Sequence, residues 1–198
     1  MEALNLKLFF WLNQGSGQQP FVDTVAIFFG EGGPYLLMFG LVIFWFMAGD
    51  RHRHALLEAT EASLLGLLIN QLLGMLLFYP RPYMVGLVQP LIVHGPENSF
   101  PSDHATLMLT VALYLLCCEK WKKQGAILLL LALTTAWGRI YAGIHFPLDM
   151  LGSLGVACFS FCLVLWQHSL LKPFNRRLIQ YYQQINNRLL KHHGNSAR

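Results

Sequence analysis

The chain has 198 residues, of which 55% are hydrophobic and only 12% are charged, and its formal net charge is +4. Soluble domains carry about 25% charged residues, so this chain has too few charges to cover a surface that faces water. The composition excludes a soluble enzyme, a disordered chain and a nucleic-acid-binding protein. It predicts a membrane protein with several spans.

A helix needs about 20 mostly apolar residues to cross a bilayer. The segments that approach this length are Pro34–Ala48, Ala55–Tyr79, Ala105–Cys118, Gly125–Tyr141 and Leu148–Leu171. Leu4–Leu12 and Phe21–Phe29 are each too short to span. They predict either an interfacial helix followed by a half-helix, or one transmembrane helix broken around Gly15-Ser16-Gly17. The expected fold is an all-α bundle of five or six transmembrane helices, with residues 1–171 as one membrane-embedded domain.

The basic residues predict the orientation of this bundle. Eleven of the fourteen fall in two short loops and the tail: Arg51, Arg53, Lys120, Lys122, Lys123, Lys172, Arg176, Arg177, Arg188, Lys191 and Arg198. Cytoplasmic loops carry an excess of Lys and Arg, so this side is predicted to be cytoplasmic and residues 80–101 and 143–147 face outward. The tail, residues 172–198, has apolar residues at helical spacing. It is either an amphipathic helix on anionic lipid or a frayed, solvated helix.

Three polar islands interrupt the apolar pattern on the predicted outer side. They are Arg81-Pro82, then Phe100-Pro101-Ser102-Asp103-His104 at the start of a helix, then Arg139 with His145 and Asp149. Ionisable groups near membrane depth are costly, and by default they indicate function. Each island alone also has a structural explanation, such as a helix stop or a helix cap. Their order and their common side are what indicate a functional site.

Together these side chains suit phosphate chemistry. Arg81 and Arg139 offer planar, bidentate donors to phosphate oxygens, and the helix start at Ser102 offers backbone N–H groups. One histidine can attack phosphorus while the other donates a proton to the leaving oxygen. Asp149 can hold one ring nitrogen of His145. No acidic cluster suits Mg²⁺, so neither a metal nor a cofactor is expected.

The order Arg-Pro, Pro-Ser-x-His and Arg-x5-His-x3-Asp resembles the type-2 phosphatidate phosphatase superfamily of membrane lipid phosphatases. The resemblance covers about residues 55–170. It implies that His145 is a nucleophile that forms a phosphohistidine, supported by Asp149, and that His104 is the general acid. It also implies that Arg81, Ser102 and Arg139 bind the phosphate, with Asp103 beside them.

The chain departs from the usual pattern of that superfamily at three positions. Gly74 stands where a Lys is usual, Asp103 replaces the Gly of Pro-Ser-Gly-His, and Gly138 replaces the Ser before Arg139. The Ser-Asp-His variant, followed by His145-Phe146-Pro147-Leu148-Asp149-Met150, is most similar to bacterial undecaprenyl-diphosphatases of the bacitracin-resistance type. That subgroup shares the missing Lys.

The expected function is therefore hydrolysis of undecaprenyl diphosphate in a bacterial inner membrane, with the site outside and the C-terminus in the cytoplasm. Such a step recycles the carrier lipid of cell-wall synthesis. Alternatives are another lipid phosphate (phosphatidylglycerophosphate, phosphatidate or lipid A, the last by phosphotransfer) and a lipid transporter that binds phosphate without cleaving it. The expected partners are the polyprenyl diphosphate and the bilayer, without nucleic acid. The oligomeric state is left open.

Overall fold

The computed structural model of the chain describes residues 2–195. Within this range there are seven α-helices and no strand. The side chains of residue 51 and of residues 189–195 lie outside this description. The helices are α1 (Glu2–Asn13), α2 (Pro20–Met47), α3 (Asp50–Leu76), α4 (Asp103–Leu116), α5 (Lys122–Tyr141), α6 (Pro147–Trp166) and α7 (His168–Asn195), with a 3-10 turn at Glu119–Trp121. The predicted all-α fold is confirmed.

The short helix α4 lies at the centre of the bundle. It contacts α2, α3, α5 and α6, and nine of its 14 residues are buried. Helices pack closely in lipid where small residues let their backbones approach. An ideal Cβ on Gly125 of α5 would lie 2.5 Å from the backbone nitrogen of Leu116, so any larger residue there would push α5 away from α4. This contact fixes the end of α4 against the start of α5.

The N-terminal region differs from both sequence-based alternatives. Phe21–Phe29 is neither a half-helix nor part of a helix with Leu4–Leu12, because it continues through Pro34 into one helix of 28 residues. A proline inside a helix removes the hydrogen bond to the carbonyl four residues earlier, which here is Gly30. That carbonyl instead accepts a hydrogen bond from the Arg139 guanidinium of α5, at 3.0 Å.

Two other predicted helix ends are displaced. Helix α3 stops at Leu76 rather than Tyr79, with Leu77 extended, because the residues before Pro80 are disfavoured in helical geometry. The predicted helix ending at Leu171 breaks at Gln167, where α6 ends and α7 begins. Directly after the break, His168 Nδ1 lies 2.7 Å from the buried Glu58 carboxylate.

Within the described part of the chain, three helices are long and apolar enough to cross a membrane: Pro20–Met47, His52–Leu76 and Pro147–Trp166. Helix α4 is apolar but shorter. Among the basic residues predicted to face the cytoplasm, the side chains of Arg51 and Lys191 and the whole of Arg198 lie outside the described part of the chain.

Helix α1 packs across the end of the bundle where α5 ends and α6 begins. The Asn13 side chain donates to the Tyr141 carbonyl at 2.6 Å, and Asn5 accepts from the Leu148 N–H at 3.0 Å. The rings of Phe9 and Phe146 are 5.3 Å apart between centroids. The chain start therefore supports the same end of the bundle that carries the three polar islands.

Candidate active site

A cavity of about 290 Å³ lies at this end of the bundle. It is bounded by the end of α3, the start of α4, the end of α5 and the loops after α3 and α5. Five of the seven predicted site residues line it: Arg81, Asp103, His104, Arg139 and His145. The three polar islands, up to 68 residues apart from Arg81 to Asp149, thus meet at one place.

Asp149 lies behind His145 and orients its ring. His145 is 2% exposed, and its Nδ1 lies 3.2 Å from Asp149 Oδ2. Asp149 is in the first turn of α6, where its Oδ2 also accepts the Phe146 N–H at 2.7 Å. This bond satisfies one of the free N–H groups at a helix start, so the same carboxylate caps the helix and holds the imidazole.

Ser99 completes this group, and sequence reasoning missed it. Its hydroxyl donates to Asp149 Oδ2 at 2.5 Å, and its Oγ lies 3.4 Å from His145 Nδ1. The side chain is fully buried. Its only sequence signal is its position two residues before Pro101, which does not point to a partner 50 residues away.

The contacts of His145 assign the tautomer of its ring. The Arg81 Nη1 lies 3.2 Å from Nε2, and a guanidinium can only donate, so Nε2 carries a lone pair and the proton is on Nδ1, toward Asp149. Burial, followed by the positive charges of Arg139 and Arg81, lowers the pKa of His145 well below its usual range. The ring is therefore neutral at physiological pH, and its Nε2 keeps a lone pair that accepts a hydrogen bond from Arg81.

Arg81 is held mainly by backbone carbonyls, and the Glu97 carboxylate lies 4.0 Å from its Nη2. Its Nη1 donates to the carbonyl of Ile144 at 3.1 Å, its Nη2 to that of Asn98 at 3.1 Å, and its Nε to that of Glu97 at 3.3 Å. Burial lowers the pKa of Arg81, and nearby acidic groups partly offset this effect. Because neutral carbonyls hold the guanidinium in place, its positive charge stays available to an anion in the cavity.

Arg139 is fixed by α2. It is 3% exposed, and it donates Nη1 to the Gly30 carbonyl that Pro34 leaves without its helical partner. Its Nε is buried and has no hydrogen-bond partner among the described residues. An ideal Cβ on Gly138 would lie 2.6 Å from the Ala26 carbonyl oxygen. The close approach of α2 thus explains why the usual Ser before Arg139 does not fit here.

Asp103 and His104 are the first two residues of α4, and both line the cavity. They differ in their hydrogen bonding. The Asp103 carboxylate accepts hydrogen bonds from two amides of α3, Asn70 at 2.8 Å and Gln71 at 3.2 Å. His104 has no hydrogen-bond partner among the described residues, and its ring is therefore available to a ligand. Gly74, where a Lys is usual, also lines the cavity, and the α3 wall carries amides in place of a cation.

Ser102 does not lie at the cavity where Arg81 and Arg139 meet. It is fully buried as the residue before α4 and does not line the cavity. Its N–H donates to Ser153 Oγ at 2.9 Å, and Ser153 in turn donates to the Ser102 carbonyl at 3.0 Å. Its contacts join α4 to α6.

The loop between α3 and α4 adds a third histidine. His94 and Glu97 line the cavity, with His94 Nδ1 3.7 Å from Glu97 Oε2. Burial, followed by the charges of Arg81 and Arg139, lowers the pKa of His94. The Tyr83 hydroxyl, 3.2 Å from the carbonyl of His94 and 2.5 Å from that of Gly95, anchors this loop. From the sequence, contact with the substrate headgroup and a solvated loop are both open for His94, Glu97 and Asn98, because their approach to the cavity depends on the bonds to Arg81 and Tyr83.

No group of three or more His, Cys, Asp or Glu side chains in the described part of the chain is arranged to hold a metal ion. Among the carboxylates here, that of Asp103 is bound by amides and that of Asp149 by Ser99 and His145, while that of Glu97 lies near Arg81 and His94. Positive charge comes from the two arginines. The arrangement suits a phosphate group bound by Arg81 and Arg139, between Nε2 of His145 and the ring of His104.

Comparison with known proteins agrees with this reading of the motifs. A family model described as the PAP2 superfamily matches residues 55–173. Undecaprenyl-diphosphatase BcrC of Bacillus subtilis (strain 168) is 32% identical over 188 residues, 95% of this chain and 96% of that protein. YbjG of Escherichia coli (strain K12), which is named provisionally as an undecaprenyl-diphosphatase, is 32% identical over 171 residues, 84% of this chain and 85% of that protein.

One relative carries a different kind of name. A protein of Bacillus licheniformis named bacitracin transport permease protein BcrC is 27% identical and covers 94% of this chain and 91% of its own length. Among solved structures, the chain is similar to the crystal structure of Aquifex aeolicus LpxE, with a TM-score of 0.68 and 30% identity over 82% of this chain and 94% of that chain. The resemblance inferred from the three motifs is thereby confirmed.

Proposed function

Because the chain belongs to the PAP2 superfamily, we propose that it is a membrane enzyme that hydrolyses undecaprenyl diphosphate to undecaprenyl phosphate and inorganic phosphate. The names of two relatives, each 32% identical over most of the chain, support this substrate. The observation that carries the proposal is the His145–Asp149 pair, with Nε2 directed at a cavity that holds two arginines and a second histidine.

The proposed reaction has two steps. Nε2 of His145 attacks the terminal phosphorus, the bond from that phosphorus to the bridging oxygen breaks, and His104 protonates the departing lipid phosphate. Asp149 stabilises the positive charge that then develops on the imidazole. Water next attacks the phosphohistidine while His104 takes up its proton, and inorganic phosphate is released. Arg81 and Arg139 stabilise the charge on the equatorial oxygens.

We place the protein in a bacterial inner membrane with α2 to α6 as five spans. Helix α5 has 20 residues, which at 1.5 Å per residue is about 30 Å, the thickness of the hydrocarbon core. The basic residues of the 50–53 and 120–123 loops then face the cytoplasm. Residues 1–171 form the membrane domain with the cavity at its outer face, and residues 172–198 form a cytoplasmic tail. Such a step supports peptidoglycan synthesis and bacitracin resistance.

A panel of lipid phosphates tests the proposal. We expect the purified protein in detergent to release phosphate with the highest kcat/KM from undecaprenyl diphosphate, compared with phosphatidylglycerophosphate, phosphatidate and lipid A. EDTA should change the rate by less than twofold, since the positive charge comes from arginines. A higher kcat/KM on another lipid, or a strict need for Mg²⁺, would contradict the proposal.

Transport is the second candidate function, and it is favoured by the permease name of one relative. Two histidines and a supporting carboxylate exceed what phosphate binding alone needs, so the site favours catalysis. Lipid movement between the leaflets of a proteoliposome without phosphate release would support transport instead.

Asp103 is expected to weaken phosphate binding. Its carboxylate is close enough to interact with the charges of both Arg81 and Arg139. Asp103 is exposed, so removing its charge is worth up to ~1 kcal/mol, the upper end of the range for solvent-screened charge pairs. Asp103→Asn should therefore lower the inhibition constant for inorganic phosphate about fivefold. Steady-state inhibition by the product measures it.

Gln71→Ala is the matched control for Asp103→Asn. It removes one hydrogen bond to Asp103 but keeps the charge, so the inhibition constant should change by less than twofold. Equal shifts in the two variants would show that cavity shape, rather than charge, sets phosphate affinity.

A further inference from the structure

Helix α1 lies outside the segment that matches the family model, which begins at residue 55. Asn5, Phe9 and Asn13 follow one another at intervals of four residues, so they share one face of α1. This face contacts the connection between α5 and α6, residues 141–148, which carries His145. The contacts of α1 therefore reach the nucleophile from a part of the chain that the three motifs do not include.

The Asn5 side chain caps the helix that carries Asp149. Helix α6 begins directly after Phe146, and a phenylalanine side chain cannot accept the free N–H groups that a helix start leaves. Pro147 has no N–H group, so the first such donor of α6 belongs to Leu148. Asn5 Oδ1 accepts it at 3.0 Å. An acceptor from α1 thus replaces the cap that the local sequence lacks.

Asn13 holds the other end of the connection with the opposite polarity. Its side-chain amide donates to the carbonyl of Tyr141, the last residue of α5, at 2.6 Å. The last carbonyls of a helix have no acceptor role within the helix, so this bond occupies one of them. Between the two asparagines, the fully buried Phe9 packs its ring against that of Phe146, with 5.3 Å between the centroids. Asn5 therefore acts as an acceptor and Asn13 as a donor.

The connection that α1 holds carries two groups of the active site. One is the imidazole of His145, and the other is the carbonyl of Ile144, which accepts Arg81 Nη1 at 3.1 Å. Arg81 is also held by two carbonyls of the loop between α3 and α4, whereas Nε2 of His145 moves with the backbone of the connection. A displacement of ~1 Å at a reacting atom can cost ~100-fold in rate. Loosening the connection should therefore reduce the attack on phosphorus more than the binding of phosphate.

We propose that α1 is a positioning element of this active site, in which Asn5 and Asn13 fix the two ends of the connection so that Nε2 of His145 points at the bound phosphate. The inference rests on the proposed function, which makes His145 the nucleophile. Neither asparagine lines the active-site cavity. Both therefore act through the backbone of the connection and not on the substrate.

Steady-state kinetics of two Asn5 variants in detergent test the role of the acceptor. Asn5→Ala should lower kcat for phosphate release from undecaprenyl diphosphate about 10- to 100-fold, while the inhibition constant for inorganic phosphate changes less than about twofold. Asn5→Asp keeps an acceptor at the same place, and Asp caps helices as well as Asn does, so its kcat should stay close to that of the wild type. Equal losses of kcat in the two variants, or a loss of phosphate affinity as large as the loss of kcat, would refute the proposal.

The same exchange at Asn13 should have the opposite outcome. Asn13→Asp replaces the donor by a carboxylate that faces the Tyr141 carbonyl, and its kcat should fall about as far as that of Asn5→Ala. Gln14→Ala removes an exposed side-chain amide next to Asn13 in the sequence and should behave as wild type. Tolerance of Asp at both positions, or a reduced kcat in Gln14→Ala, would contradict the assigned donor and acceptor. If Asn13→Asp does not fold, the two Asn5 variants alone decide the question.

Amide hydrogen exchange of the full chain separates this inference from the proposed function, because it needs no substrate. The Leu148 amide should exchange at least about tenfold faster in Asn5→Ala than in the wild type, and Asn5→Asp should keep its protection. Unchanged exchange in Asn5→Ala would overturn the proposal. If the wild type hydrolyses a different lipid phosphate, the proposed function fails, whereas the same pattern of kcat on that lipid still supports positioning by α1.

Discussion

Replacing His145 with Asn is expected to reduce phosphate release from undecaprenyl diphosphate by at least ~10⁴-fold, because the attacking nitrogen is lost. The Asn side chain is short enough to fit the buried position and can still donate to Asp149, but it has no group at the place of Nε2. The variant should therefore fold while forming no covalent intermediate. Phosphate release measures the first effect. Labelling by substrate carrying ³²P in its terminal phosphate, after a denaturing quench at alkaline pH, measures the second, because phosphohistidine is stable in base and labile in acid.

The control for this variant is His52→Asn. His52 lies at the start of α3, away from the cavity, and its backbone carbonyl rather than its ring accepts the Trp121 indole N–H. Its activity and Tm should match those of the wild type. Retained activity in His145→Asn, or a labelled protein after quenching, would refute the nucleophile assignment.

Replacing His104 with Asn is expected to slow turnover by ~10²–10⁴-fold, the usual contribution of a general acid–base group. Loss of His104 should slow the second step, hydrolysis of the phosphohistidine, more than the first. The leaving group of the first step is a phosphate monoester with a second pKa of ~6, which departs readily without a proton donor. The attack of water in the second step still needs a base, so the phosphohistidine should accumulate. Quenched His104→Asn protein should carry close to one label per chain.

His94→Asn serves as the comparison for His104→Asn. His94 lines the same cavity but lies outside the three motifs, and it should turn over within a few-fold of the wild type without accumulating label. Lost turnover without label in His104→Asn would place its role in the first step. Unchanged turnover would remove it from the mechanism.

The parts of the site that the sequence predicts are those attached to helix ends. Pro80 and Ser102 mark such ends locally, and the His145-x3-Asp149 spacing is one helical turn, so these residues are found without knowledge of the tertiary fold. The active-site cavity brings together Arg81, His104 and Arg139 because the ends of α3, α4 and α5 meet there.

The contacts that sequence reasoning missed join distant segments through common residue types. Ser99 reaches Asp149, and Asn70 with Gln71 reaches Asp103 33 and 32 residues away. Ser, Asn and Gln have many structural uses, and nothing in their local pattern names a partner. The same limit applies to Ser102, whose position in a motif predicts phosphate binding although its N–H is bonded to Ser153.

Pro34, inside α2, limits how far the chain can be shortened from its N-terminus. The segment that matches the family model begins at residue 55, but the carbonyl that orients Arg139 belongs to Gly30. A protein trimmed to the matched segment would keep every motif residue and lose the acceptor that aims one of its two arginines. We therefore expect the smallest catalytic unit of this chain to be larger than the region by which its family is recognised. A foreign N-terminal helix should replace α2 only if it presents, at the position of Gly30, a backbone carbonyl without a helical hydrogen bond.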